Sequence, residues 1–241
     1  GPMIAVAGIT LFGMKGTSIL CLLAILTAAI LMLYIPKIQA ESIKKTVTAL
    51  GTAKKTDGYN NWKAFLRLTL LIICSSIVVC GLRSFIPLYW VHILGLSENA
   101  AGTALTLLFS IGVVTTFIGG IFADKFGYLK IVRGSYILLA IMVAILSQTT
   151  NATIGYLLMI PIGFAMFSPF SSVVVLGQNY LSRSIGFASG VTMGLSFSVG
   201  GILIPLLGWF ADSYGLTATM ELLTIVAICA AVFSLFLPKR Y

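Results

Sequence analysis

Seven apolar runs, each about as long as a membrane is thick, constrain this chain more than any other feature of its sequence. A transmembrane helix needs ~20 apolar residues to cross ~30 Å of hydrocarbon, whereas barrel strands show only weak alternation over ~10 residues. Charged residues make up 9% of the chain, against about 25% in a soluble domain. The sequence therefore predicts an all-α integral membrane protein. The predicted spans are 17–36, 66–90, 102–123, 131–148, 154–176, 186–210 and 217–237.

One long polar segment divides the chain. Residues 39–65 contain helix breakers and many lysines, and we predict that they form a cytoplasmic linker. Residues 66–241 are predicted to form a six-helix transmembrane bundle. Residues 3–38 hold a short apolar stub and one further helix, and Gly1-Pro2 are interpreted as the remnant of a protease cleavage.

The start of the chain matches its end at a constant offset. Phe12-Gly13 and Pro36-Lys37 correspond to Tyr214-Gly215 and Pro238-Lys239. Either the match is a coincidence, or residues 3–38 repeat the last helix pair. In the second case they end the N-terminal half of a longer two-half protein, and residues 66–241 form its C-terminal half.

The net charge of +9 is explained by the orientation of membrane helices, so we predict no nucleic-acid partner. Cytoplasmic loops carry an excess of Lys and Arg, which places the linker in the cytoplasm. Alternation of the spans then places the 124–130 loop, Arg183 and the C-terminus on the same side. Lys15 and Arg83 are the basic residues that do not fit. The chain is predicted to be a multi-pass protein of the cell membrane with a cytoplasmic C-terminus.

Residues that carry chemistry are few and scattered. An intramembrane enzyme needs paired acids, a Ser–Lys or Ser–His dyad, or metal ligands within its spans, and this chain has a single histidine, His92. The cysteines lie inside apolar runs without zinc spacing or a CxxC motif. We therefore predict no enzyme activity, no metal site and no cofactor. A channel is also disfavoured, because no filter-like or charged-ring motif is present.

A charged loop bracketed by glycines lies between the 102–123 and 131–148 spans. Its sequence, Gly120-x-Phe122-Ala123-Asp124-Lys125-x-Gly127-Tyr128-x-Lys130, resembles the signature Gly-x-Leu-Ala-Asp-Arg-x-Gly-Arg-x-Lys of the major facilitator superfamily. That signature joins the second and third helices of each six-helix half on the cytoplasmic side. A weaker copy runs from Gly208 to Gly215. The stretch from Ile185 to Gly201 is similar to the fosmidomycin-resistance branch. The resemblance implies the C-terminal six-helix half of a major facilitator fold, preceded by one helix and a stub.

This loop is predicted to gate transport. Gly120 is expected to allow close helix approach and Gly127 to permit a left-handed turn. Asp124, at a membrane edge, needs a cation or a helix N-terminus as its partner. The resemblance supplies the start of the fifth helix of the first half, which this chain is expected to lack. The cations alone fit a solvated loop equally well. The predicted gating residues are Gly120, Asp124, Lys125, Gly127 and Lys130.

In the superfamily the first and fourth helices of each half line the central cavity, which here means the 66–90 and 154–176 spans. Arg83 is the only charge deep inside a span. It either snorkels to the outer interface or acts as a cavity cation for an anionic substrate or an outer gate. Pro161 and Pro169 should kink the second span, whose serines line a pocket or serve ordinary helix packing. The predicted cavity residues are Arg83, Ser84, Phe164, Phe167, Ser168, Ser171 and Ser172.

Local signals predict three further details. Ser97-Glu98 favours a helix start, as a capping side chain followed by a first-turn carboxylate. Tyr89-Trp90 is expected in the aromatic belt at a membrane interface. A helix-packing face is predicted from the four-residue spacing of Gly186, Gly190 and Gly194.

The predicted function is transport of a small molecule by alternating access, as a proton-coupled exporter of drugs or metabolites. No acidic residue lies deep in the spans, so a proton-carrying carboxylate is expected in the absent half, and the chain alone is expected to be inactive. The alternative is a membrane module that associates with itself and does not transport. The expected partners are the lipid bilayer, a small-molecule substrate, and either the missing N-terminal half or a second copy of the chain.

Overall fold

The structure, a computed structural model, describes residues 60–238. These residues form seven helices, of which α4 and α5 together make one span, so that six spans are long and apolar enough to cross a membrane. The predicted six-helix bundle is confirmed, while the predictions for 3–38 and for 39–59 lie outside the described residues. The helices are α1 (Trp62–His92), α2 (Glu98–Phe126), α3 (Tyr128–Ser147), α4 (Ala152–Phe167), α5 (Pro169–Tyr180), α6 (Ile185–Tyr214) and α7 (Leu216–Leu235).

Side-chain caps begin the first two helices. The Asn61 side chain accepts a hydrogen bond from the Ala64 N–H (3.1 Å), which satisfies one of the free N–H groups at the start of a helix. For this reason α1 begins inside the stretch that was predicted to be linker. Ser97 caps α2 in the same way, through the Ala100 N–H (3.3 Å). The predicted start of this helix is confirmed.

The bundle contains an internal repeat of three spans. The boundaries of α2 and α3 recur in α6 and α7 at one offset, the separation of 88 residues between Gly127 and Gly215. Each of these glycines has a positive φ (94° and 89°) and joins two helices without a further loop residue. In each, the N–H donates to an alanine carbonyl four residues earlier (2.8 Å). Because corresponding helices lie three spans apart in the chain, they cross in opposite directions, as in inverted repeats of transporters.

Exposed apolar side chains cover the outside of the bundle, as a lipid-facing surface requires. Inside, α1 packs mainly against α6 and α7, α3 against α7, and α2 against α4. Tyr89 and Trp90, which were predicted in an aromatic belt, have side chains fully buried within the bundle, and their position relative to the membrane interface stays a prediction. The Tyr89 hydroxyl donates to the Thr149 carbonyl (2.9 Å), and Trp90 packs edge-on against Tyr156.

Close contact between α1 and α6 depends on Gly200. A Cβ atom at this position would lie 2.5 Å from the Cys80 Sγ and would also collide with the Ser76 carbonyl oxygen. By contrast, a Cβ atom at any of Gly186, Gly190 and Gly194 would meet nothing within 4 Å among the described residues. Those three glycines lie on the exposed side of α6, so the predicted packing face has no partner helix among the described residues and stays a prediction.

The Ser76 hydroxyl joins α1 to α6 at the same point. It donates to the Ser196 carbonyl and accepts from the Gly200 N–H, both at 2.9 Å. In a regular helix those two backbone groups bond to each other. A side chain inserted there is a recognised cause of helix bending, and it is possible here because Gly200 lets α1 approach so closely.

Basic side chains hold the C-terminus of α7. We call the end of the bundle that carries this terminus, the α2–α3 turn and the α5–α6 connection the basic end. Arg133 donates from Nε to the Ser234 carbonyl (3.2 Å), and from one terminal nitrogen to the carbonyls of Leu235 (3.0 Å) and Leu237 (2.6 Å). Arg67 adds a bond to the Phe236 carbonyl (3.2 Å). These cations satisfy carbonyls that the end of the helix leaves free and complement its dipole.

Replacing Arg133 with glutamine is expected to lower the free energy of unfolding by about 2 kcal/mol, since three charge-assisted bonds to helix-end carbonyls are lost. Denaturant titration of the purified protein in detergent measures this difference. Lys130→Gln removes one charge from an exposed position three residues earlier and is the matched control. Equal stability of the two variants would contradict the capping role.

Candidate functional site

A cavity of about 280 Å³ lies within the bundle, lined by residues from α1 to α6. Its wall combines hydroxyl groups, aromatic rings and one charge. The lining residues are Ser75, Ser76, Val79, Arg83, Thr116, Tyr136, Met166, Phe167, Pro169, Phe170, Val173, Ser196 and Phe197. A mostly apolar cavity with a few polar groups is the usual form of a small-molecule site.

Arg83 is the one charged residue in this lining. Its guanidinium carbon lies 5.3 Å from the ring centroid of Phe109 and 5.4 Å from that of Phe167. Both distances are within the range of an attractive cation–π contact. The Nε atom is buried and has no hydrogen-bond partner among the described residues. The side chain thus lies against the cavity wall and keeps hydrogen-bonding capacity unused.

A break in the fourth span positions Phe167. Pro169 has no backbone N–H to continue α4, so α4 ends at Phe167 and α5 begins at Pro169. Pro161 lies within α4 and does not interrupt it. The ring of Phe167 packs where α2 has Gly112, at which a Cβ atom would lie 2.6 Å from the ring. The predicted irregularity of this span therefore occurs at one of its two prolines.

The structure brings two of the seven predicted cavity residues, Arg83 and Phe167, to the cavity wall. The others do not line it. Ser168 and Ser172 are completely buried, and their hydroxyls, with that of Ser171, have no partner among the described residues. Ser84 and Phe164 are half-buried elsewhere on their helices. The polar cavity residues that were not predicted from the sequence are Ser75, Ser76, Thr116, Tyr136 and Ser196.

The loop at the basic end is a tight turn between α2 and α3. Gly127 ends α2 with φ of 94°, a conformation that costs other residues energy. Asp124 lies in the last turn of α2, and its Oδ1 atom accepts a hydrogen bond from the Tyr128 hydroxyl (2.7 Å). Lys125 and Lys130 are exposed. The carboxylate expected to have lost its partner therefore has one within its own loop, one turn away along the chain.

Within the described residues, a close approach between helices occurs at Gly119, the neighbour of Gly120. A Cβ atom at Gly119 would lie 2.5 Å from the Ser168 Oγ and 2.7 Å from the Ser168 carbonyl oxygen. A Cβ atom at Gly120 would meet nothing within 4 Å among the described residues. One step along a helix turns a residue by about 100°, since 3.6 residues complete a turn. Adjacent glycines thus face different surroundings, and the close approach predicted for Gly120 has no partner among the described residues and stays a prediction.

Comparison with known protein families shows which family this chain belongs to. The model of the Major Facilitator Superfamily matches residues 1–205. The chain belongs to this superfamily. The predicted resemblance is confirmed, and six apolar spans in the described residues agree with a part of a major facilitator fold.

Three curated members of the superfamily are similar to this chain in sequence. An uncharacterised MFS-type transporter of Bacillus subtilis, YfnC, is 28% identical over 99% of the chain and 59% of its own length. The fosmidomycin resistance protein of Escherichia coli is 29% identical over 72% of the chain and 42% of its own length. An uncharacterised MFS-type transporter of Escherichia fergusonii, YcaD, is 27% identical over 78% and 48%. The chain therefore spans about half the length of these relatives.

Proposed function

We propose that this chain forms part of a secondary transporter that moves a small molecule across a membrane by alternating access. The observation that carries the proposal is the cavity of about 280 Å³, which is lined by residues of five of the six apolar spans. Two of the relatives are named as transporters and one as a resistance protein. The direction we propose is export of a drug or metabolite, with the cell membrane as the location and the basic end in the cytoplasm.

Proton coupling is part of the proposal and requires a carboxylate outside the described residues. The acidic residues within 60–238 are Glu98, Asp124, Asp212 and Glu221, and they lie toward the ends of their helices. Protons are carried in transporters by acidic or histidine side chains within the spans. The relatives are longer than this chain, which supports a proton site in an N-terminal half that pairs with residues 66–241.

We assign the gating role to Gly120, Asp124, Lys125, Gly127 and Lys130. The hydrogen bond from Tyr128 to Asp124 supports it, because a contact within one turn can hold the loop in one state and be exchanged for another partner in a second state. The positive φ of Gly127 supports it as well, since this turn sets the angle between α2 and α3.

Fosmidomycin tolerance of cells provides the test. Escherichia coli lacking its own fosmidomycin resistance protein would express either this chain alone or this chain joined to the part of YfnC that it does not match. We expect the chain alone to leave tolerance unchanged, and the fusion to raise it in a way that a proton ionophore abolishes. Efflux by the chain alone would contradict the need for a second half. A correctly inserted fusion without any efflux would contradict the transport proposal.

A second candidate is a membrane module that associates with itself and does not transport. It is favoured by the surfaces of α2 and α6, the least buried spans of the described residues. Large apolar side chains are exposed there, among them Phe117, Ile121, Phe197 and Ile202. Light scattering of the purified chain in detergent would separate the two candidates: a stable dimer without efflux favours the module, and a monomer favours the partial transporter.

A further inference from the structure

We propose that the cavity binds an organic anion with an apolar body, and that Arg83 is its counter-ion. The proposal rests on the proposed function, because it takes the cavity to be the substrate site. It adds a chemical class of substrate and the residue that selects it. Three properties of the cavity support it: an uncompensated charge, a shortage of other free donors, and an aromatic wall.

The charge on Arg83 has no carboxylate partner in the cavity wall. Charges inside a membrane protein are costly and are usually paired or placed at a functional site. The two neighbouring rings of Phe109 and Phe167 stabilise a cation but accept no conventional hydrogen bond. Arg83 is therefore held in place without being neutralised, and a bound anion would complete its coordination.

The serine and threonine hydroxyl groups of the cavity are already engaged as donors. Ser75 donates to the Ile72 carbonyl (3.0 Å) and Thr116 to the Gly112 carbonyl (2.7 Å). Ser76 donates to the Ser196 carbonyl (2.9 Å), and Ser196 donates to the Thr192 carbonyl (2.6 Å). Each hydroxyl has only one proton to donate. The guanidinium group, whose Nε–H is free among the described residues, therefore offers ligand acceptor atoms a charged donor that these four hydroxyls do not.

The remaining wall selects the body of the ligand. Phe167, Phe170 and Phe197 contribute rings, and Met166 and Val173 contribute further apolar surface. An apolar ring buries well against such a wall, while a carboxylate or phosphonate at one end can take two N–H donors from a guanidinium. A cationic ligand would be repelled by Arg83. A small aromatic acid is thus the simplest probe of this site.

Binding to the whole chain in nanodiscs of zwitterionic lipid tests the proposal. The probes are benzoate and phenylphosphonate as anions, benzamide as a neutral molecule and benzylamine as a cation. We expect the anions to bind about 10-fold tighter than benzamide or better, the value of one charge-assisted contact. Arg83→Gln is expected to weaken anion binding about 10- to 100-fold and to leave benzamide within about twofold. Arg83→Lys is expected to retain the preference for anions.

Lys63→Gln is the matched control, because it removes one charge from an exposed position of the same helix. It is expected to leave every affinity unchanged. Equal affinity for benzoate and benzamide in the unaltered chain would overturn the proposal, as would unaltered benzoate binding by folded Arg83→Gln. Binding of none of the probes would overturn it too. If Arg83→Gln does not fold, the affinities of the unaltered chain and of Arg83→Lys for benzoate and benzamide still test the proposal.

The binding assay is independent of the efflux assay. Loss of efflux with retained anion binding would reject the transport proposal and leave the anion site in place. Efflux of fosmidomycin, with equal binding of the anions and benzamide, would reject the anion site and support the transport proposal. A carboxylate that belongs to the rest of the transporter and pairs with Arg83 would appear as loss of anion binding when the chain is joined to the remaining part of YfnC, and that result would also reject the anion site.

Discussion

Gly200→Ala is expected to lower the free energy of unfolding by about 3 kcal/mol, at the upper end of the usual cost of overpacking. The added methyl group would meet the backbone carbonyl of Ser76 and the Cys80 Sγ. A rigid helix backbone cannot move aside as a flexible side chain can, so α1 and α6 would have to separate. That separation would also break the two hydrogen bonds of the Ser76 hydroxyl. Denaturant titration in detergent measures the loss.

Alanine at the next position, Gly201, is the control for Gly200→Ala. A Cβ atom at Gly201 would meet nothing within 4 Å among the described residues. Since alanine favours a helix over glycine by about 1 kcal/mol, Gly201→Ala should be neutral or slightly stabilising. If both alanine variants lowered stability equally, the contact between α1 and α6 would not be as close as the structure shows.

The spans could be predicted from sequence because hydrocarbon thickness sets their length. Each predicted run from residue 66 onward corresponds to one described span and extends at most two residues past its end, and the break at Pro169 follows from its missing N–H. The loop at Gly127 was also predictable, since a glycine between two long helices indicates a positive φ. The loop sequence by itself indicates the superfamily to which the chain belongs.

The buried face of each helix could not be predicted. In a soluble protein the apolar stripe marks that face, but here lipid and core are equally apolar, so the pattern around a helix carries little information. Gly186 and Gly200 lie in the same apolar run, yet a methyl group would meet nothing within 4 Å among the described residues at the first and would collide at the second. For the same reason, the sequence did not indicate that Tyr136 of α3 and Ser196 of α6 line the cavity. Their role depends on neighbours far away in the chain.

Gly119→Ala is expected to lower the stability of the fold, whereas Gly120→Ala is expected to affect gating without destabilising the fold. At Gly119 a methyl group would collide with the side chain and backbone of Ser168, at the break between α4 and α5. We expect Gly119→Ala to lower the free energy of unfolding by about 2–3 kcal/mol. Because Ser168 follows Phe167, the displaced break would also move the ring that contacts Arg83. In Gly119→Ala, both the affinity for benzoate and the free energy of unfolding should therefore fall. Both can be measured on the same nanodisc sample.

At Gly120 the methyl group has free space among the described residues, and the alanine should raise stability by up to about 1 kcal/mol. Benzoate binding should therefore remain unchanged in Gly120→Ala. If gating requires close contact of this residue with the other half of the transporter, efflux by the fusion with YfnC should fall while folding and binding persist. Intact efflux in Gly120→Ala would remove this glycine from the gating loop. The role of the loop would then depend on Asp124 and the turn at Gly127.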